Sequence, residues 1–196
     1  MTEAGDIGSP PNAQPAGRVA FQGAPGAFSH EACVVLRPWD VAVAFETFAG
    51  AIEAVRSGDC DSALIPVENS TIGAVEPAAS LVSESGLAVV AEVWRPIRMA
   101  LMAIPGARLG ELRTVESHPA ALCQCAQALT ELRLEPVEAF DTAGAARAIA
   151  ESGDPTRAAL APIAAAEVYG LTILRNDLQD SADNRTRFVL LSLKAA

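Results

Sequence analysis

The chain has 196 residues, and 51% of them are hydrophobic, which is enough for one large domain or for two small lobes. Its formal net charge is −10, from 14 basic and 24 acidic side chains. Such a surface repels nucleic acids and anionic membranes, so we expect neither as a partner. An anionic small molecule would have to be held locally, by helix dipoles and a few well-placed cations.

The four cysteines do not indicate disulfides or a metal site. Cys123 and Cys125 are two residues apart in a predicted helix, so they point in different directions, and a chain of this size needs no disulfides. With two histidines and no CxxC pair, no zinc site is expected. No apolar run is long enough to cross a membrane, and the N-terminus shows no secretory signal. We therefore expect a cytoplasmic protein with reduced thiols.

The chain begins with 17 residues rich in Pro, Gly and Ala, which predict a disordered leader. Short apolar runs then alternate with alanine-rich helical stretches. This alternation with short loops is typical of the α/β class and predicts mostly parallel sheets. In chain order, the predicted strands are RVAFQG, VAVAF, CDSALIPV, GLAVVAEV, IRMALMAI, LRTVES, LEPVEAF, RAALAP, LTILRNDL and RTRFVLLSL, and helices fall between them, among them HPAALCQCAQALTEL.

The paired strands of GLAVVAEVWRPIRMALMAI indicate a crossing between two lobes. On this interpretation residues 18–94 and 171–196 form the first α/β lobe and residues 95–170 form the second. A cleft would lie between the lobes. Ligands of such sheets bind beyond the carboxyl ends of the strands, where the helices begin.

Four loops between a strand and a helix carry small polar residues: Gly23–Ser29, Val67–Gly73, Glu116–Ala121 and Phe140–Ala146. A helix N-terminus binds anions through its free N–H groups and its dipole. Ordinary helix capping is the commoner explanation for any one of these loops. Four such loops around one cleft indicate a small polyanion or a dicarboxylate as the ligand.

Individual residues of these loops admit more than one role. Glu68 could be a general acid or base, or it could stiffen its loop, and we favour the structural role. We expect Asn69 and Ser70 to contact a ligand. His118, which precedes Pro119 at a helix start, could donate to a carboxylate, act as a general acid, or simply lie at the surface.

The sequence contains no pattern that predicts a cofactor. The stretch GAPGAFS lacks the GxGxxG spacing of a dinucleotide-binding loop, and no GxxxxGK[ST] pattern occurs. No cluster of metal ligands is visible either. Whatever chemistry occurs is expected to use protein groups alone.

Six motifs in order, VAFQGAPGAFSHEA, IPVENSTIGAV, SHPAALCQC, DTAGAA, AAEVYGL and DNRTRFVLL, resemble the catalytic domain of prephenate dehydratases. The resemblance covers about Arg18 to Leu193, and QDSADNRTRF also resembles the arogenate dehydratases of the same family. It implies a two-lobed fold similar to type II periplasmic binding proteins, with the active site between the lobes. It also implies a reaction without a cofactor, in which prephenate loses its ring hydroxyl and carboxylate to give phenylpyruvate, water and carbon dioxide.

The resemblance implies roles for particular residues. Thr186 would hydrogen-bond the departing hydroxyl and assist its protonation. Arg187 would hold a substrate carboxylate or fix the loop, since the guanidinium fork suits a carboxylate. The remaining residues would bind substrate: Asn69, Ser70, Thr71, Ser117 and His118 would line the pocket, Thr142 with nearby N–H groups would take the second carboxylate, and Phe188 would pack beneath the site. Arg185 receives no role.

The chain departs from the family pattern in three places. It stops at LSLKAA, where the family's dehydratases usually continue into a regulatory ACT domain, so we expect either a naturally short form or a truncated chain. Arg98 and Met99 replace a common His-Cys pair in the crossing strand. The helix after ENSTIG lacks a common acidic residue. These departures leave substrate preference and assembly open.

Several alternatives therefore remain. The substrate could be arogenate, in which an amine replaces the side-chain keto group. A prephenate decarboxylase of secondary metabolism also lacks the regulatory domain, but it differs around the Thr-Arg-Phe site that is intact here. A non-catalytic binding module would have the same lobes and cleft. For the assembly, a homodimer is the common default.

Overall fold

Two β-sheets, each covered by helices, organise the chain. The computed structural model describes residues 16–193, so the leader expected over residues 1–17 lies outside the described residues apart from its last two. In chain order the elements are β1 Arg18–Gln22, α1 Phe28–Leu36, β2 Val41–Phe45, α2 Phe48–Ser57, β3 Ser62–Asn69, β4 Gly73–Ala74, α3 Ala78–Glu84, β5 Ala88–Pro96, β6 Ala100–Ala103, β7 Thr114–Ser117, α4 Pro119–Gln124, α5 Ala126–Leu132, β8 Glu135–Glu138, α6 Thr142–Ser152, β9 Arg157–Ala161, α7 Ile163–Tyr169, β10 Thr172–Arg175 and β11 Arg185–Ser192.

The first sheet has the strand order β2-β1-β3-β11-β5, with the short β4 paired to β3, and the second has the order β10-β6-β9-β7-β8. We call the first sheet with α1, α2 and α3 the first lobe, and the second sheet with the remaining helices the second lobe. Strand β1 runs parallel to β2 and β3, and β7 runs parallel to β8 and β9. The strands next to the crossings, β5, β6, β10 and β11, pair antiparallel. The prediction of mostly parallel sheets is therefore wrong, because the strands beside the crossings pair antiparallel with their neighbours.

The chain passes between the lobes twice. It leaves the first sheet after Pro96 and enters the second at Ala100, and it returns between Arg175 and Arg185. The return expected at residue 171 is too early, because β10 pairs with β6 and Ile173 packs against the core of the second lobe.

Small apolar residues fill the interior of both lobes. Strand β3 is buried along almost its whole length, as expected for a central strand covered on both faces. Helices α2 and α3 pack on one face of the first sheet and α1 on the other. Phe28 at the start of α1 contacts the core of each lobe, so this side chain joins the two hydrophobic interiors.

The stretch predicted as one helix, HPAALCQCAQALTEL, forms two. Cys125 interrupts it with φ −123° and ψ 17°. At this break the N–H of Asp180 donates to the carbonyl of Gln124 (2.8 Å), and the Asp180 carboxylate accepts from the N–H of Gln127. The segment that returns to the first lobe thus takes up the backbone groups that a continuous helix would use itself.

Candidate active site

A cavity of about 640 Å³ lies between the two lobes. Each of the four polar loops noted in the sequence contributes to its wall, among them Ser29, Asn69, His118 and Thr142. The loops meet there because each follows the carboxyl end of a strand that points at the cleft. The size and the largely apolar lining suit a small organic molecule.

Thr186 and Asn69 form the buried polar centre of this cavity. They lie directly opposite each other on the paired strands β11 and β3, and both are buried although they line the cavity. The side-chain amide nitrogen of Asn69 donates to the Thr186 hydroxyl oxygen at 3.0 Å. Its amide oxygen accepts from the N–H groups of Thr71 (2.9 Å) and Ile72 (3.2 Å), which fixes the orientation of the amide. Since Thr186 accepts from Asn69, its own proton is free to be donated into the cavity.

Asn184 and Gln124 extend this network across the cleft. The Asn69 nitrogen also donates to the Asn184 side-chain oxygen (2.8 Å). Asn184 in turn donates to the Gln124 side-chain oxygen in α4 at 3.1 Å. With its oxygen occupied, Gln124 keeps two N–H groups that no other described residue accepts, and it lines the cavity. The chain Thr186–Asn69–Asn184–Gln124 thus joins the two lobes by hydrogen bonds.

The first turn of α1 forms another part of the wall. Ala27 occupies the N-cap position of this helix without a side-chain bond, and Ser29 is the second residue of the helix. Ser29 is buried, and its hydroxyl bonds to none of the described residues. This helix start therefore offers a hydroxyl and uncapped N–H groups to an anion.

His118 lies at the start of α4, exposed and on the cavity wall. Its Nδ1 accepts from the N–H of Ala120 at 3.2 Å. In a neutral ring the proton is therefore on Nε2, which makes this nitrogen a donor.

Thr142 also lines the cavity, at the start of α6. The neighbouring helix cap is occupied, however, since the Asp141 carboxylate accepts from the N–H of Gly144 at 2.6 Å. A carboxylate of the protein thus stands where the sequence led us to expect a carboxylate of the substrate. Of the N–H groups near Thr142, that of Gly144 is therefore already paired with a protein carboxylate.

Arg187 does not line the cavity. It follows Thr186 on β11, so its side chain lies on the opposite face of the sheet. There its guanidinium pairs with Glu68 (3.0 Å) and Glu92 (3.2 Å), which lie on the two strands flanking β11. Of the two uses considered for Arg187, this geometry favours fixing the structure over binding a carboxylate. For Glu68, the contact that the structure shows is this ion pair with Arg187.

Four more of the residues expected at the site lie outside the cavity wall. The Ser70 hydroxyl bonds to the Asp183 carbonyl and to the N–H of Arg185, so it ties its loop to the start of β11. Ser117 is fully buried and donates to the Leu160 carbonyl at 2.6 Å. The Thr71 hydroxyl bonds to the Asn184 side chain (3.4 Å), and Phe188 belongs to the core beneath the sheet.

The fully charged side chains that line the cavity are acidic. Among the described residues that line it there is no Arg or Lys, whereas Glu76 and Asp141 are present. Arg185, to which the sequence assigned no role, lies over the Trp94 ring, 5.6 Å from its centroid. Any anion in this cavity would be held by hydrogen-bond donors and by the start of α1 rather than by a guanidinium.

Sequence reasoning missed three residues of the site: Ser29, Gln124 and Asn184. All three were visible in motifs already singled out: Ser29 in VAFQGAPGAFSHEA, Gln124 in SHPAALCQC and Asn184 in DNRTRFVLL. Within residues 16–193 no three His, Cys, Asp or Glu side chains are grouped so that they could hold a metal ion. In the same range, no helix combines the length and hydrophobicity needed to span a membrane.

Known proteins with a similar sequence agree in one family. A family model described as prephenate dehydratase matches residues 19–196. A bifunctional N-acyl-homoserine lactone acylase/prephenate dehydratase of Komagataeibacter europaeus is 41% identical over 178 residues, which are 91% of this chain and 63% of that protein. The chloroplastic arogenate dehydratase 3 of Arabidopsis thaliana is 44% identical over 177 residues, 89% of this chain and 42% of that protein.

A solved structure with a similar fold is the prephenate dehydratase of Arthrobacter aurescens in complex with L-Phe. It has a TM-score of 0.83 and 31% sequence identity, over 91% of this chain and 61% of that chain. The chain thus spans less than two thirds of the length of these relatives. The match over residues 19–196 covers the whole cavity described above. The chain belongs to the prephenate dehydratase family.

Proposed function

We propose that the protein catalyses the decarboxylating dehydration of prephenate to phenylpyruvate. The observation that carries this proposal is the buried Thr186 hydroxyl in the interlobe cavity, which accepts from Asn69 and has its proton free. A donor placed in this way suits a reaction in which a hydroxyl must leave as water.

The electrons of the reaction move within the substrate. The bond between the ring and its carboxylate breaks, the carboxylate leaves as carbon dioxide, and the bonding pair enters the ring. At the opposite ring carbon the C–O bond breaks, and the hydroxyl takes up a proton and departs as water. Thr186 is a weak acid, so its part is to donate a hydrogen bond to the departing oxygen and to pass on a proton supplied by solvent or substrate.

The negative charges of the substrate would be met by neutral donors. The Ser29 hydroxyl with the start of α1 is one group of donors, and the free N–H groups of Gln124 and the Nε2 of His118 are others. These donors come from both lobes, so the substrate would be held across the cleft and oriented with its hydroxyl toward Thr186.

Arogenate is a second candidate substrate, favoured by the acidic side chains of the cavity. Its side chain carries an ammonium group in place of the keto group of prephenate. Asp141 or Glu76 could pair with that ammonium. Several relatives are also named as arogenate dehydratases.

The proposal also includes the compartment, the assembly and the lack of a cofactor that we expect from the sequence. We place the enzyme in the cytoplasm, working as a homodimer without a cofactor. The four cysteines support a reducing compartment, because all are free and three of them, Cys33, Cys60 and Cys125, are each buried in a different core. Light scattering of the purified chain measures the assembly.

The test is to incubate the purified protein with prephenate and, separately, with arogenate, and to identify the products. Phenylpyruvate from prephenate supports the proposal, and faster formation of phenylalanine from arogenate supports the second candidate. A decarboxylated product that keeps the ring hydroxyl and is not aromatic would contradict both. Binding of prephenate without any product would leave a binding module as the function.

A further inference from the structure

Helix α7 of the second lobe lies against the loop that leads from β1 into α1 of the first lobe. This loop, Gly23–Ser29, supplies Gly23, Ala27 and Ser29 to the substrate cavity on one side. On its other side it contacts α7 at several points. The motif AAEVYGL contains most of α7.

Tyr169, the last residue of α7, makes the most directed of these contacts. Its hydroxyl donates to the carbonyl oxygen of Pro25 at 2.9 Å. Burial raises the pKa of this hydroxyl above its ordinary value, so it keeps its proton and remains a donor at neutral pH. The bond joins residues 144 positions apart in the chain and belongs to neither sheet.

Gly26 brings the two backbones close together beside this bond. A Cβ atom at position 26 would lie 2.8 Å from the Cα of Ala165 in α7, closer than real contacts allow. Gly26 also has φ +86°, in the left-handed region that favours glycine. Its N–H donates to the Nδ1 of His30 at 3.0 Å, which ties the loop to the first turns of α1.

Glu31 completes the contact from the side of α1. Its carboxylate accepts from the N–H of Ala164 in the first turn of α7 at 3.2 Å. Tyr169 and Glu31 therefore hold the two ends of α7 to the same loop and helix. The position of Ala27 and Ser29 on the cavity wall depends on where this helix of the other lobe lies.

On the basis of the proposed function, we propose that Tyr169 is a positioning residue for substrate binding, which fastens the loop Gly23–Ser29 to α7 so that the first turn of α1 forms one wall of the cavity. Tyr169 does not itself line the cavity. Its effect reaches the substrate through the Pro25 carbonyl and the loop. Loss of its hydroxyl should therefore weaken substrate binding and leave the chemical step at Thr186 unchanged.

The test compares Tyr169→Phe, which removes only the hydroxyl, with the control Glu167→Gln on an exposed position of the same helix. For Tyr169→Phe we expect KM to rise about fivefold, the effect of one neutral hydrogen bond, with kcat within about twofold of the wild type. General loss of folded protein would instead lower kcat at unchanged KM. Glu167→Gln should change neither. Gly26→Ala, if it folds, should raise KM further than Tyr169→Phe does.

A second measurement does not depend on turnover. Hydrogen exchange of the amides in residues 23–29 should become faster in Tyr169→Phe and stay at the wild-type rate in Glu167→Gln. Unchanged exchange together with unchanged KM would overturn the proposal. If the wild type turns over neither prephenate nor arogenate, the proposed function fails, and the exchange rates alone then decide whether Tyr169 fastens the loop.

Discussion

The hydroxyl oxygen of Thr186 accepts a 3.0 Å hydrogen bond from the side-chain nitrogen of Asn69, whose oxygen is held by two backbone N–H groups. The direction of this bond matters more than its length. Because Asn69 can only donate here, Thr186 is left as a donor toward the cavity. A residue that is a weak acid is thereby placed so that its proton is available for the hydrogen bond that the proposed dehydration needs.

Replacing Thr186 by alanine should remove this donor with little effect on the fold. We expect Thr186→Ala to lower kcat by about a hundredfold or more, the usual contribution of a positioned proton donor. Thr186→Ser keeps the hydroxyl and should retain most of the activity. Thr130→Ala, at an exposed threonine of α5, is the matched control. Steady-state kinetics with prephenate and thermal unfolding of all three variants provide the check, and an active Thr186→Ala protein would rule out this role.

Two substitutions of Asn69 separate its two functions. Asn69→Ala leaves the N–H groups of Thr71 and Ile72 without their acceptor and removes one of the two donors to the Asn184 oxygen, so the free energy of unfolding should fall by about 1–3 kcal/mol. Asn69→Asp restores an acceptor for the two N–H groups but provides no donor for Thr186. We expect kcat to stay at least tenfold below the wild type in Asn69→Asp. Urea unfolding and kcat together test this, and wild-type kcat in Asn69→Asp would contradict it.

Substitution of Arg187 distinguishes between the substrate contact expected from the resemblance and the ion pairs seen in the structure. Its ion pairs with Glu68 and Glu92 are partly exposed, so Arg187→Met should lower the free energy of unfolding by only about 1 kcal/mol. Its side chain lies away from the cavity, so KM should remain within about twofold of the wild type. A large rise in KM at unchanged stability would instead support the substrate contact expected from the resemblance.

Stability should depend on pH through His30. Burial lowers the pKa of this histidine, and its Nδ1 accepts from the N–H of Gly26. As pH falls below the ordinary value of about 6.5, the unfolded chain binds the proton first, so the contribution of His30 is present above that pH and is lost below it. Burial raises the pKa of the adjacent Glu31, which acts with the opposite sign.

The check is urea unfolding at several pH values from about 7.5 down to about 5.5. His30→Asn should have a smaller loss of stability on acidification than the wild type has. His118→Asn, at the other histidine of the chain, is the control. Equal slopes for the wild type and His30→Asn would show that His30 is not responsible.

Local patterns in the sequence predicted the parts of the structure that depend on neighbouring residues. The alternation of strands and helices, and the loops at the ends of the strands, follow from periodicity and capping. The break at Cys125 could not be found in this way, because it depends on Asp180, which approaches from more than 50 residues away. The place of β10 in the second sheet could not be predicted for the same reason, because it depends on pairing with the distant strand β6.

The face of the sheet on which Arg187 lies could have been predicted from the sequence. Thr186 and Arg187 are neighbours in a predicted strand, and neighbours in a strand point to opposite faces of the sheet. Once Thr186 was assigned to the cavity, Arg187 was excluded from it by that alternation alone. The family motif places the two residues side by side, so it does not show that their side chains lie on opposite faces of the sheet.

The double crossing has a consequence for how the chain is made. The second lobe is continuous in sequence, whereas β11, which follows that lobe in the chain, lies between β3 and β5 and pairs with both. Until it arrives, the first sheet is divided, and two apolar strand edges are open to pairing with other chains. On the ribosome the second lobe can therefore fold before the first. Assembly of the cavity requires the strand that carries Thr186, so the site can form only after the whole second lobe has been synthesised.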